Sequence, residues 1–278
     1  MKTANRNYGL DVLRLICMLI LATFHFMNYY GLSYISPNTN GSKAYVIQTL
    51  GWGGGRMICN VFLFISAWYL CEKPTFKIER IIKVLFTVEV YSIIVGVAFW
   101  VKGAGNIWLV SHIFPIATNL VWYATMYIGI LILSPMLNRL LSENNRGLTR
   151  NVVCIFFLII CVVPTFYPKY ARLGSVLSWY IMAYLAIGLM KVYRINLNRT
   201  LSCIMFIVGY GVTILFYNAF ANMPPFVANT MKVLGFYNNV YFSDLATLPP
   251  LISALGLFFL FLACDFKCWH YVGGAYGL

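Results

Sequence analysis

Charge is scarce in this chain, and negative charge scarcest of all. Seven Asp and Glu stand against 20 Lys and Arg in 278 residues, with 10% of residues charged and 61% hydrophobic. A soluble globular domain carries about 25% charged residues. The shortfall excludes an ordinary water-soluble core and places the chain among polytopic membrane proteins. A formal charge of +13 does not make it a nucleic-acid binder. The basic residues fall in short clusters between apolar runs rather than along one face, so they read as topology signals and as sites for anionic head groups or phosphates.

Other absences narrow the field. Of the eight cysteines, Cys17, Cys59, Cys154, Cys161 and Cys203 lie inside apolar runs, where cysteine behaves as a small hydrophobe. Cys264, Cys268 and His270 have ligand-like spacing but lack a fourth ligand, so neither a metal centre nor a structural disulfide is expected. Lys2 and Arg6 precede an apolar stretch as in a signal peptide, yet no small-x-small cleavage site follows. The first helix is therefore read as retained. With no internal repeat and no low-complexity linker, one membrane domain over 1–278 is the simplest account.

What is present is a series of apolar runs. Eight of them, 9–30, 51–71, 80–101, 119–140, 151–168, 175–191, 201–220 and 245–264, are long enough to cross a bilayer, which takes about 20 residues. Residues 269–278 look like the start of a ninth span that stops short, giving an all-α bundle with an incomplete C-terminus. Thirteen Lys and Arg fall in one alternate set of loops and five in the other. The positive-inside rule then puts the N-terminus in the cytoplasm. The long outer connection from Asn222 to Asp244 reads as a cap or an interfacial helix.

Ionisable side chains within such spans mark functional paths. Arg14 and His25 share the first one. Eleven steps of about 100° bring His25 to within about 20° of Arg14, roughly 16 Å along the axis. One helix face thus carries a guanidinium towards the cytoplasm and an imidazole in the outer half. Asp11, one turn before Arg14, can pair with it. Arg14 could instead snorkel to the interface, and His25 could be a hydrogen-bonded structural histidine. Arg56 falls at the depth of His25, with Asn60 one turn further in and Gly53 to Gly55 allowing close backbone approach. This predicts an outer pocket of His25, Arg56 and Asn60, unless Arg56 only anchors its helix. Glu89, in the middle of the third span, either finds a partner, which Arg14 or Arg56 could supply, or is protonated. It reads as a structural pair or as a proton-relay or catalytic group. Arg80 and Lys83 share a helix face that suits a phosphorylated ligand or a plain positive-inside anchor. Trp122-Tyr123 reads as an aromatic belt, and Ser134-Pro135 as a kink. Tyr34, Asn38, Trp108, His112 and Asn119 suit a sugar acceptor or an ordinary wet loop.

Several of these stretches together resemble the membrane acyltransferase-3 family. The first helix is similar to the family's arginine-x10-histidine helix at Arg14 and His25. Asn60 to Leu70 is similar to its FxxISGYxL segment, with Ala67 in place of glycine. Arg80-Ile81-Ile82-Lys83 resembles its arginine-x-x-arginine step with lysine in the second place. Trp122-Tyr123 and Ser134-Pro135-Met136-Leu137-Asn138 resemble its fourth helix, and Tyr271 to Leu278 the start of its closing helix. The resemblance implies a multi-pass O-acyltransferase of the bacterial cytoplasmic membrane. It would move an acyl group, commonly acetyl, from cytosolic acyl-CoA to a hydroxyl of a surface or lipid-linked glycan. Its partners would be acyl-CoA, the glycan acceptor and membrane lipids, with no bound cofactor. Arg14, Arg80 and Lys83 would engage the CoA side. His25 would act as general base or transient acyl carrier. A transporter or flippase with Arg14, His25, Arg56 and Glu89 along its path is the competing expectation, and an inactive truncated family member is another.

Overall fold

In hydrocarbon a chain satisfies its backbone only through helices or closed barrels, and every regular element among the described residues is helical. The computed structural model describes residues 7–29, 43–75, 77–103, 105–169, 175–221, 223–237 and 241–264. The order is α1 (Tyr8–Tyr29), α2 (Lys43–Leu70), α3 (Ile78–Val101), α4 (Asn106–Ile113), α5 (Trp122–Leu140) and α6 (Arg146–Phe157). A π-turn (Leu158–Val162) leads into α7 (Val163–Phe166), followed by α8 (Val176–Val192), α9 (Arg199–Ala221) and α10 (Pro225–Val233). A 3₁₀ turn (Tyr241–Ser243) precedes α11 (Leu248–Leu262).

The centre is built from α2, α8 and α11. A helix apolar all round belongs inside a bundle, and α8 buries nine of its 17 residues, Trp179, Tyr180 and Tyr184 among them. Around this centre α1 packs on α2, α9 lies along α11, and α3 leans on α4 and α5. The outward faces stay apolar. Phe86 and Ile94 of α3, Ile155 and Phe156 of α6, and Ile207 and Leu215 of α9 are all exposed, as lipid-facing surfaces are.

Among the described residues five helical stretches are long and apolar enough to cross a membrane: Tyr8–Phe26, Ile78–Val101, Arg146–Phe166, Arg199–Phe220 and Tyr241–Leu262. The sequence led to an expectation of eight, and the other three are helices of a different character. The helix α2 runs for 28 residues, with Gly55–Leu70 as its described apolar stretch, and α8 is the shorter apolar helix Val176–Val192, while α5 carries Ser134, Pro135, Asn138 and Arg139. Two of these three, α2 and α8, pack much of their surface against neighbouring helices. The suggested ninth span, 269–278, lies outside the described residues.

Pro135 and Pro164 interrupt long apolar helical runs, and each has a local remedy. Pro135 has no N–H for the carbonyl of Leu131, and the Ser134 hydroxyl donates to that carbonyl instead, at 2.8 Å. Ahead of Pro164 the chain widens into the π-turn, a common accommodation. Just beyond, Thr165 Oγ1 donates to the Cys161 carbonyl at 2.7 Å and accepts the Leu248 N–H at 3.0 Å, tying this segment to the first turn of α11.

Small residues let α9 and α11 meet backbone to backbone. A Cβ on Gly256 would lie 2.5 Å from both the Ser202 carbonyl oxygen and the Phe206 nitrogen. Gly256→Ala is expected to push the two helices apart at a cost of about 1–3 kcal/mol. The measurement is the thermal midpoint of the protein in detergent, and an unchanged midpoint would mean that the helices part freely.

Candidate functional site

The chain reversals sort to two ends of the bundle. At the Arg14 end, Asn138 Nδ2 donates to the carbonyls of Leu70 (2.9 Å) and Lys73 (2.7 Å), and the Tyr184 hydroxyl donates to Asn138 Oδ1 at 2.8 Å. Lys191 Nζ reaches Glu72 Oε2 at 2.8 Å and the Trp68 carbonyl at 2.6 Å. Arg14 Nη1 pairs with Asp11 Oδ1 at 3.0 Å, as its spacing predicted, and its guanidinium lies 5.3 Å from the centre of the Tyr69 ring. That seat packs the cation onto α2 through a face contact.

Arg80 and Lys83 are both exposed on the first turns of α3. Arg80 stands close enough to Lys73, in the α2–α3 turn, to act on its charge, as do Lys77 and, from α8, Lys191. The Lys73 ammonium is held below its ordinary value, first by partial burial and then by the charges of Arg80, Lys77 and Lys191. Cations crowded in this way gain most from an incoming anion. The sequence grouped Arg80 and Lys83 with Arg14; the structure groups Arg80 with Lys73, Lys77 and Lys191.

At the other end of α1 the expected outer pocket exists in part. His25 and Arg56 line one cavity of about 500 Å³, together with Phe24, Cys59, Trp122 and Tyr123. Gly55 makes this meeting of helices possible, because the Phe24 ring packs where a Cβ would stand. His25 is exposed in the cavity and contacts Phe24 edge to face at 5.7 Å. Arg56 Nη1 reaches Asp244 Oδ2 at 2.9 Å. On the far side of that ion pair lies a second cavity of about 470 Å³, with Asn119, Trp179 and Tyr241 in its wall. Arg56 and Trp122 belong to both cavities.

Asn60 corrects the expected pocket. It is fully buried and lines neither cavity. Its Oδ1 accepts from Trp179 Nε1 and its Nδ2 donates to the Leu245 carbonyl, both at 2.9 Å. It therefore braces α2, α8 and the approach to α11 behind the site. A buried amide with both ends satisfied is a structural part.

Glu89 was expected to meet Arg14 or Arg56. Those two hold Asp11 and Asp244 instead, and Glu89 has no hydrogen bond or ion pair among the described residues. Trp122 and Tyr123, which read as an interfacial belt, also line the cavity. His112 turns inward: buried, it places Nδ1 2.9 Å from the Trp108 carbonyl oxygen and its ring 4.8 Å from the indole. That makes it a packing element between α4 and α3 rather than an acceptor contact. Tyr34, Asn38, Cys268 and His270 lie outside the described residues, and no group of three metal-ligating side chains occurs among those described.

Sequence reasoning missed Asp244, Trp179 and Tyr241. Asp244 had a legible signal, being the acidic residue at the N-terminal end of the last apolar run. The two aromatics carried none, since both look like ordinary membrane-protein residues. No family model, no curated protein and no solved structure matches the chain.

Proposed function

We propose that this protein is an integral membrane O-acyltransferase of the bacterial cytoplasmic membrane, spanning it with α1, α2, α3, α5, α6–α7, α8, α9 and α11 and with its N-terminus in the cytoplasm. It moves an acyl group, most simply acetyl, from cytosolic acyl-CoA to a hydroxyl of an extracytoplasmic or lipid-linked glycan. The observation that carries the reading is the polarity of α1. Arg14 sits at the end where Lys73, Lys77 and Arg80 cluster, and His25 opens into a cavity at the other. The resemblance of the Arg14–His25 helix and the Arg80–Lys83 step to the acyltransferase-3 motifs supports the same assignment.

In the reaction the acceptor hydroxyl oxygen attacks the thioester carbonyl carbon, and the C–S bond breaks. An ester forms and the CoA thiolate leaves. In direct attack His25 takes the hydroxyl proton. In the covalent alternative a His25 ring nitrogen attacks the thioester and expels the CoA thiolate. The hydroxyl then attacks the acyl carbon, and the C–N bond breaks as the freed imidazole keeps the hydroxyl proton. The cationic cluster holds the phosphates of the donor, Arg80 as a planar fork and Lys83 as a point charge.

The transporter reading needs Arg14, His25, Arg56 and Glu89 along one path. Two of these are held by their own carboxylates, and Glu89 lies on α3, which packs on α4 and α5. Purified protein with isotopically labelled acetyl-CoA and a glycan acceptor should release CoA and yield an alkali-labile glycan ester. Substrate movement in proteoliposomes without CoA would sink the enzyme reading. The Arg80→Ala/Lys83→Ala double variant is expected to raise KM for acetyl-CoA by about tenfold, equivalent to about 1.4 kcal/mol. An unchanged KM would remove both residues from the donor site.

A further inference from the structure

The second outer cavity has a composition of its own. Its volume of about 470 Å³ falls in the range of small-molecule sites. Trp122 offers an indole that is only half-buried, and the exposed Asn119 holds its backbone at a φ of 56°, a left-handed conformation that asparagine tolerates. The Asn119 amide makes no side-chain hydrogen bond among the described residues, so its donors and its acceptor are open to a ligand. Among the described residues the formal charges in the wall are Arg56 and Asp244, which meet at 2.9 Å and are each 48% exposed. Asp244 Oδ1 also accepts the Ala246 N–H at 3.3 Å, which fixes the carboxylate in the wall.

An aromatic plate beside open amide and carboxylate groups fits a ring with one apolar face and hydroxyls at its edge. Net charge decides which ring. Arg56 is already neutralised, so an acidic sugar would have to displace Asp244 or sit against its carboxylate, and either outcome costs binding energy. We propose that this cavity binds an uncharged glycosyl residue of the acceptor, and that the Arg56–Asp244 pair excludes acidic sugars. Its role as an acceptor subsite rests on the acyl-transfer reading; its ligand class rests on the cavity alone.

The test is calorimetric titration of the full chain in nanodiscs, without acyl-CoA. The probes are neutral trisaccharides of glucose, galactose, mannose or N-acetylglucosamine, and trigalacturonate. At least one neutral trisaccharide is expected to bind at least tenfold more tightly than trigalacturonate. Asp244→Asn, which frees the Arg56 charge, is expected to gain at least tenfold in affinity for trigalacturonate. Binding of the acidic probe as tightly as the best neutral one, or of no neutral probe at all, overturns the proposal. If the variant does not fold, the wild-type comparison decides alone. Neutral-sugar binding by a protein that transfers no acyl group supports the cavity and fails the enzyme. Acyl transfer without such binding overturns the cavity and leaves the enzyme.

Discussion

Replacing His25 by alanine is expected to reduce acyl transfer by at least about 100-fold, the lower end of what a positioned general base contributes. The protein should still reach the membrane and retain its thermal midpoint, because His25 is an exposed residue of its cavity and not part of the buried core. That separation makes the experiment decisive: a structural histidine would lower stability and activity together, whereas a catalytic one lowers activity alone. Acyl release from acetyl-CoA, membrane yield and midpoint should be measured on the same preparation. Activity equal to wild type would remove His25 from the mechanism.

The second large effect is one of stability. Asn60→Leu is expected to cost about 2–5 kcal/mol, because it strands the Trp179 indole N–H and the Leu245 carbonyl in the core, at about 1–3 kcal/mol for each unsatisfied group. Asn60→Asp keeps an acceptor for Trp179 while losing the donor to Leu245. An ionised carboxylate there would also be buried without a cation, so this variant should be no more stable than the leucine one at neutral pH. Thermal melts of the three proteins in one detergent test both statements. A wild-type midpoint in Asn60→Leu would show that the brace between α2, α8 and the approach to α11 is dispensable. A loss of glycan binding in step with stability would show that the brace sets the width of the cavity behind which it stands.

The contrast between His25 and Asn60 shows how far the sequence could be read. Both were assigned to one pocket from depth alone, since helical rise gives depth reliably once topology is known. Depth does not give azimuth across helices. His25 and Arg56 share a cavity because Gly55 lets the Phe24 ring settle against α2. Asn60, one turn on, points instead towards Trp179 on α8. The Arg14–Asp11 pair was legible because both residues lie on one helix three apart. The partner of Arg56 was not, because Asp244 is 188 residues away.

The expected eight spans divide along a similar line. Hydropathy located all eight helices, yet only five meet the length and apolarity of a lone spanning segment. The burial of α2 and α8 among their neighbours is a tertiary outcome, and enclosure is not visible in a local window.

From its sequence alone, the chain's all-helical membrane character was determined, along with the position of each long helix and the placing of Arg14 and His25 on one face of α1. All of these follow from local periodicity and from the cost of charge in hydrocarbon. The tertiary structure decided that Asp244 neutralises Arg56, that Trp122 and Tyr123 wall a cavity, that Asn60 is a brace and that Arg80 stands with Lys73. Each of these depends on which side chains face one another across helices far apart in the chain, and packing sets that rather than any local preference.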